Sequence, residues 1–199
     1  MKPHLKRYLI IAAAFPLSAC ISFGAKPPPS LLTLTAASTL SASAARAVSA
    51  NQAITIAVPI VPQAIATTRV PVSVDATAIA YVENALWVEA PARLFQRLLS
   101  ETIAAKTGKT VLDPKQSALV PALQLSGQLL RFGVDETSSD AVIVYDAVLT
   151  SDAGKTVITR RFEARSKAAT ITAKPVGEAL NRAANTIAGE IANWVGEVK

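Results

Sequence analysis

Hydrophobic and polar residues alternate in seven short stretches of the chain, and this period of two predicts β-strands. Residues 54–58 show the pattern clearly, because Ile54, Ile56 and Val58 are separated by smaller residues. The other predicted strands cover residues 70–74, 79–83, 110–112, 123–132, 141–149 and 156–164. The last three are the longest and follow one another closely, so we predict that they form an antiparallel meander.

The stretches between these strands have the residue types of turns. Residues 151–154 contain serine, aspartate and glycine, which favour a hairpin loop. We predict a longer polar loop over residues 133–140 and a turn at residues 84–85. Gly127 and residues 130–132 interrupt the alternation of the first long strand, which indicates a β-bulge.

Two further stretches have the hydrophobic period of an amphipathic helix. The first begins at Pro91, a residue favoured in a first helical turn, and ends before Gly108. The second covers about residues 175–198, and its hydrophobic side contains many alanines and Trp194. This order of elements predicts one α+β domain over residues 51–199, with two helices packed on one face of a mainly antiparallel sheet.

Residues 1–19 have the pattern of a secretory signal peptide. Lys2, Lys6 and Arg7 precede an apolar run, residues 8–15. This run is shorter than the roughly 20 residues that an α-helix needs to span a bilayer. A basic stretch followed by a short apolar run is typical of a cleaved targeting segment, not of a structural helix.

Leu17-Ser18-Ala19-Cys20, at the end of this segment, resembles the lipobox of bacterial lipoproteins. The resemblance implies cleavage after Ala19, a diacylglyceryl group on the Cys20 sulfur and acylation of the new amino terminus. The alternative is an ordinary signal peptide that is cut at Ala19, with a chance cysteine after it. Small residues precede Cys20 and the sequence offers no second cysteine to pair with it, so we favour lipidation.

The segment after the cysteine, residues 20–50, is predicted to be a flexible tether. Residues 26–30 contain three consecutive prolines and favour an extended polyproline-like chain. Residues 38–50 are rich in serine and alanine and show no hydrophobic period. Two alternatives stay open for residues 31–35, which either belong to the tether or dock on the domain as a short strand.

The residue composition argues against an enzyme and against a metal site. Cys20 and His4 are the only cysteine and histidine, and His4 lies in the predicted signal peptide. Lipidation of Cys20 would leave the mature chain without a thiol or imidazole for nucleophilic catalysis or zinc binding. The sequence also lacks the glycine motifs of nucleotide-binding proteins and hydrolases. We therefore expect no catalytic residue and no cofactor apart from the covalent lipid on Cys20.

A carboxylate pair and a nucleic-acid surface are two further functions that the charged residues could suggest. Five acidic residues cluster in sequence near predicted turns, and we predict that they are solvated: Asp135, Glu136, Asp140, Asp146 and Asp152. Removal of the three basic signal residues lowers the formal net charge from +6 to +3. This mild positive charge is not typical of a nucleic-acid-binding protein.

Four residues are candidates for an interface with another protein or a membrane. Trp87 is expected either to join helix and sheet in the core or to anchor a partner, since tryptophan is frequent at interface hot spots. Arg161, Arg165 and Lys167 alternate on one face of the last predicted strand. They either form a solvated face or contact an acidic partner or anionic lipid headgroups.

Several segments resemble the ABC-type transport auxiliary lipoproteins, the family of the paraquat-inducible lipoprotein C. The resemblance lies in Val58-Pro59, Arg69, Tyr81 and the helix entry from Trp87 to Leu94. Residues 125–132, 160–162 and the terminal helix with Trp194 resemble later parts of the family. A basic residue often precedes the tryptophan in that family, and here the position is Leu86.

The resemblance implies a non-catalytic auxiliary subunit of an ABC transport system. Its implied partners are an ABC permease and ATPase and a periplasmic protein with mammalian-cell-entry (MCE) domains, and a homo-oligomer is a further candidate. The implied cargo is phospholipid or another hydrophobic molecule that moves between the two membranes. The alternative function is that of a structural or assembly lipoprotein of the envelope without a transporter.

Ile21 follows the cysteine, and this position bears on localisation. By resemblance to the sorting rule of enteric bacteria, a residue other than aspartate favours the outer membrane over the inner membrane. The predicted location is therefore the periplasmic side of the outer membrane.

Overall fold

The computed structural model describes residues 30–42, 47–113, 115, 118–151 and 154–198. The predicted signal peptide, its cleavage site at Ala19 and the lipidation site Cys20 lie outside the described residues. The strands are β1 (Ala53–Ile56), β2 (Arg69–Ser73), β3 (Ile79–Leu86), β4 (Thr110–Val111), β5 (Leu123–Asp135), β6 (Asp140–Ser151) and β7 (Thr156–Lys167). The α-helices are α1 (Pro91–Thr107) and α2 (Ala173–Glu197), and short 3₁₀ turns cover Ala50–Gln52 and Gln63–Ile65.

The seven strands form one mixed sheet that is organised around β5. Along one edge β5 pairs antiparallel with β6, and β6 pairs antiparallel with β7, which confirms the predicted meander. The other edge of β5 is shared by β1 at its beginning and β2 at its end, and both of these pairings are parallel. In addition, β4 pairs parallel with β1, and β3 pairs antiparallel with β2. The sheet is mostly antiparallel because the β5–β6 and β6–β7 pairings are much longer than the parallel ones.

Two predicted turns differ from the structure. The predicted loop over residues 133–140 is shorter, because β5 continues to Asp135 and a tight turn connects it to β6. In that turn Asp135 Oδ1 accepts a hydrogen bond from the Ser138 amide, and Ser139 has a φ of 54°. The predicted turn at residues 84–85 is a bulge within β3, where Asn84 also has a φ of 54°.

The predicted bulge in β5 is confirmed by a shift of register between Leu129 and Arg131. Gly133 follows this bulge, and its Cα lies close to β2. A Cβ built on Gly133 would lie 2.5 Å from the carbonyl oxygen of Pro71. This close approach of two backbones explains why glycine occupies the position.

Both helices pack on the same face of the sheet, as predicted. Phe95 of α1 contacts Tyr145 of β6 edge to face, with ring centroids 5.3 Å apart. Trp194 of α2 packs on Phe162 of β7 at 5.6 Å. The side chains of the adjacent residues of β6 and β7 point to the opposite face, which we call the outer face.

Candidate functional site

Residues 30–42 lie on the domain, and we call this segment the strap. At its beginning the Leu32 amide donates a hydrogen bond to the Leu86 carbonyl, at 2.7 Å. The Val88 amide donates in turn to the Leu32 carbonyl, at 2.9 Å, so that Leu32 forms a parallel bridge with Trp87. Of the two alternatives left open for residues 31–35, the structure shows the docked one. The expected flexible tether over 20–50 thus differs from the structure at residues 30–42.

The strap then runs along α2, where two asparagine side chains bind its backbone. Asn181 Oδ1 accepts the Thr35 amide at 2.9 Å, and Asn185 Oδ1 accepts the Ala37 amide at 2.7 Å. Asn185 Nδ2 also donates to the Thr35 carbonyl at 2.9 Å. Four helical residues rise about 6 Å, and two residues of extended chain span about 6.6 Å. This similarity of spacing explains how asparagines at i and i+4 bind residues 35 and 37.

The strap also packs its apolar residues on the helical layer. Leu32, Leu34 and Ala36 are partly buried against the hydrophobic core. Gly177 leaves room for Leu32, since a Cβ at this position would lie 2.7 Å from Leu32 Cδ2. One side of the strap is therefore held by apolar contacts and its backbone by polar side chains.

Trp87 is a core residue in this structure. Its side chain is 1% exposed and contacts Phe132 edge to face at 5.5 Å. Trp87 Nε1 has no hydrogen-bond partner among the described residues. The alternative of a partner-binding anchor at Trp87 does not agree with this burial, because the ring offers no surface to a second protein.

Arg161 forms a bidentate ion pair with Asp146 across the outer face. Its Nε and Nη2 atoms each lie 2.6 Å from one carboxylate oxygen of Asp146. The hydrogen bond and charge of Arg161 lower the pKa of Asp146 below its ordinary value, and Asp146 raises the pKa of Arg161. Such fork geometry is the strongest form of arginine–carboxylate pairing.

Arg165 and Lys167 are also paired on the outer face. Arg165 Nη2 lies 2.9 Å from Glu163 Oε1. Lys167 Nζ lies 3.9 Å from Asp140 and donates to the Ser138 carbonyl. The structure brings the three predicted cations together, but each has a carboxylate beside it. This arrangement favours the solvated, ion-paired face over a surface for an acidic partner.

The acidic residues and the buried hydroxyls have structural roles in the described part of the chain. Hydrogen bonds from backbone amides of the following turn lower the pKa of Asp75 and of Asp135, Thr77 and Ser138 being the main donors. Burial raises the pKa of Tyr145, whose hydroxyl occupies space that a Cβ at Gly127 would need. These groups cap turns or fill the core, and none is placed as an acid–base pair.

An open groove of about 940 Å³ lies between α1 and the end of β4. Two of its lining residues make hydrogen bonds: Gln96 donates to the Ile56 carbonyl at 3.1 Å, and Glu101 accepts the Leu40 amide of the strap at 2.7 Å. Arg93 and Lys109 add positive charge to its lining. Polar, charged and apolar side chains all line this groove, and these lining residues do not form a recognisable catalytic constellation.

The described residues also bear on metal binding and on membrane spanning. No group of three or more histidine, cysteine or acidic side chains is placed to hold a metal ion within the described ranges. Neither described helix combines the length and hydropathy of a transmembrane segment.

A family model for the ABC-type transport auxiliary lipoprotein component matches residues 32–192. The chain belongs to this family. The match begins at Leu32, the residue at which the strap joins the sheet, so the strap is part of the family domain.

Two solved structures have a similar fold. Protein XCC0632 from Xanthomonas campestris, assigned to the family DUF330, is 16% identical with a TM-score of 0.65, and the alignment covers 83% of this chain and 94% of that protein. A crystal structure of an uncharacterized protein is 15% identical with a TM-score of 0.63, covering 73% and 93%. No curated protein sequence matches this chain significantly. At these identities the two structures support the fold of the auxiliary lipoprotein domain alone.

The residues that bind the strap were not among the predicted site residues. Asn181 and Asn185 lie one turn apart on the polar side of α2, and both are only partly exposed. Asparagine is a poor helix former, so a pair of asparagines inside a long helix is a weak signal of a specific contact. The backbone that they bind is about 150 residues distant in sequence, and local periodicity cannot identify it.

Proposed function

We propose that this chain is a lipid-anchored periplasmic subunit of an ABC transport system that acts without catalysis of its own. The observation that supports this most strongly is the family match over residues 32–192. The proposed partners are the permease, the ATPase and a periplasmic protein with MCE domains. The proposed cargo is phospholipid or another hydrophobic molecule that is carried between the membranes.

The proposed anchor is Cys20, acylated after cleavage at Ala19. The sequence upstream of Cys20 has the order of a lipoprotein signal, and the domain of a lipoprotein family begins twelve residues downstream, at Leu32. Ile21 favours the outer membrane as the site of this anchor. The domain would then project into the periplasm, where a partner from the inner membrane can meet it.

An adaptor function agrees with how the described polar residues are used. The outer-face cations are neutralised by carboxylates of β6 and β7, and turn carboxylates accept backbone amides. These polar side chains therefore stabilise the fold, as expected of a subunit that binds partners. No enzymatic role is proposed for any of these groups.

Purification of the acylated full-length protein from detergent-solubilised envelopes would test the proposal. We expect the permease, the ATPase and the MCE-domain protein to co-purify in stable ratio. A Cys20→Ala variant is the matched control, because it removes the lipid and leaves the domain unchanged. Co-purification of outer-membrane assembly proteins without any transporter subunit would contradict the proposal and support the structural or assembly function instead.

A further inference from the structure

The strap joins the anchored end of the chain to the domain, and its attachment decides how much chain lies between lipid and domain. Eleven residues, 21–31, separate Cys20 from Leu32. When the strap is docked, this segment can span at most about 40 Å. If the strap is released, the next backbone bond to the domain among the described residues is at Ala50, whose carbonyl accepts the amide of Ala122, the residue before β5, at 2.9 Å. The intervening residues 21–49 can then span about 100 Å.

We propose that the strap is a releasable attachment that gives the anchored domain two distances from the membrane, a short one when docked and a long one when released. This inference rests on the proposed lipid anchor at Cys20. It adds to the proposed function a device that adjusts reach, which an adaptor between two membranes needs.

The bonds of the strap differ from those of the sheet in a way that favours reversible release. The hydrogen bonds of Thr35, Ala37 and Leu40 lie at exposed positions and end on side chains. Leu32 alone in the described strap pairs with the sheet, through one isolated bridge and not through a continuous ladder. Water can replace such bonds at little cost, whereas buried ladder bonds need the sheet to open. Apolar residues of the strap are only partly buried. The strap can therefore open while the sheet stays intact.

The same bonds make the docked position specific. Asn185 uses both ends of its amide, accepting from Ala37 and donating to Thr35, as a neighbouring strand would do. Leu32 occupies the space above Gly177. These contacts fix the direction and register of the strap along α2, so that docked and released are two separate states.

A double variant, Asn181→Ala with Asn185→Ala, should release the strap. Alanine keeps the helix and removes the three amide bonds, and the isolated bridge at Leu32 is then the only backbone pairing left to the described strap. Thr186→Ala is the matched control, since the Thr186 hydroxyl bonds only the Arg182 carbonyl of its own helix in the described structure. The experiment uses the full-length protein in phospholipid vesicles. A dye on Ala76→Cys, in the exposed β2–β3 turn, and an acceptor on lipid headgroups report the distance between domain and bilayer.

We expect the double variant to speed hydrogen exchange at the Leu32, Thr35 and Ala37 amides at least tenfold and to lower energy transfer to the bilayer. The control should change neither value, and exchange in β6 should stay slow in all proteins. Unchanged strap exchange or unchanged energy transfer in the double variant would overturn the proposal. Wild-type strap amides that exchange as fast as those of an unfolded peptide would also overturn it. The same holds for strap amides that exchange only together with the amides of β6.

Mass spectrometry of the same samples separates this inference from the proposed function. An unacylated amino terminus would overturn the anchor and, with it, the two distances from the membrane. The exchange data would still show whether the strap opens separately from the sheet. Acylated protein with a strap that never opens would overturn this inference and leave the proposed function intact.

Discussion

Asp146 and Arg161 face each other on the outer face, and their pairing makes a prediction about pH. Because the folded-state pKa of Asp146 is lowered, its ionised form stabilises the fold at pH values above the ordinary aspartate pKa. This contribution is lost as the pH falls through the lowered pKa. We expect Arg161→Gln to move the Asp146 pKa back towards its ordinary value, as measured by NMR titration of the carboxyl group.

Arg160→Gln is the control for this titration, since Arg160 lies over the Phe162 ring and not beside Asp146. An Asp146 pKa that does not change in Arg161→Gln would mean that the ion pair is not formed in solution. Because the pair is exposed, salt should weaken the effect.

Gly133 gives a second prediction at the residue scale. A methyl group at this position would meet the Pro71 carbonyl at 2.5 Å, and backbone atoms cannot move away cheaply. We expect Gly133→Ala to destabilise the fold by about 1–3 kcal/mol, the usual range for overpacking. Urea denaturation would measure this value.

Gly189→Ala is the matched variant, and its effect on the free energy of unfolding should have the opposite sign. Gly189 lies within α2, where an added Cβ would meet only the end of the Lys106 side chain, at 3.4 Å. Alanine in a helix interior is favoured over glycine by about 0.5–1 kcal/mol, so this variant should be more stable than wild type. Equal stability of the two variants would contradict the contact between β2 and β5.

The two helices stabilise the domain through side chains that the hydrophobic period identified. Leu98 of α1 and Ile187 of α2 are both buried in the core. We expect Leu98→Ala and Ile187→Ala each to cost about 2–5 kcal/mol, because each leaves a cavity under the helical layer. Val120→Ala, at a site that is 78% exposed, should have little effect. Melting curves that do not change for Leu98→Ala or Ile187→Ala would contradict the packing of that helix on the sheet.

Local patterns in the sequence were sufficient for both helices and for the β5–β6–β7 meander. Elements that depend on distant contacts were less predictable. The parallel pairings of β5 with β1 and β2 join strands that are separated in sequence by α1 and several loops. The residues of one strand do not indicate which distant strand it will pair with. The β3 bulge at Asn84 and the longer β5 follow from a turn conformation and from cross-strand contacts, which a period of two does not describe.

The same distinction applies to the candidate site. Arg161, Arg165 and Lys167 were placed correctly on one strand face by alternation alone. The partners of Arg161 and Lys167, Asp146 and Asp140, depend on the register between β6 and β7. Two roles were left open for Trp87, a core residue or an interface anchor. Its packing against Phe132 shows that it is a core residue. Asn181 and Asn185 could not be assigned, because their partners belong to the strap at the other end of the chain.

At the scale of the whole molecule, the strap determines where the chain from the proposed lipid anchor joins the domain. With residues 30–42 held along α2, the chain from the proposed lipid anchor enters the domain beside Leu32, near the end of β3 and the second turn of α2. A chain that was flexible over all of 20–50 would instead enter at β1. The docked strap therefore brings the helical layer, and not β1, closest along the chain to the lipid.

The last prediction concerns the membrane to which this attachment leads. Cys20→Ala should abolish acylation and leave a precursor that is held by its uncleaved apolar signal or mislocalised, because cleavage is proposed to follow lipidation. Wild-type protein should have the mass of a cleaved, acylated chain and sediment with the outer membrane in a sucrose gradient. Ile21→Asp should move it to the inner-membrane fraction without loss of acylation, if the sorting rule of enteric bacteria applies.

Ile21→Ser is the control for that variant, since it is polar but should keep the outer-membrane location. Soluble, unacylated wild-type protein would contradict the anchor itself. Acylated wild-type protein in the inner membrane would leave the anchor in place and contradict only the outer-membrane location. In that case the partner would not need to cross the periplasm to reach the domain, and the long reach of a released strap would have to serve contact with the opposite membrane.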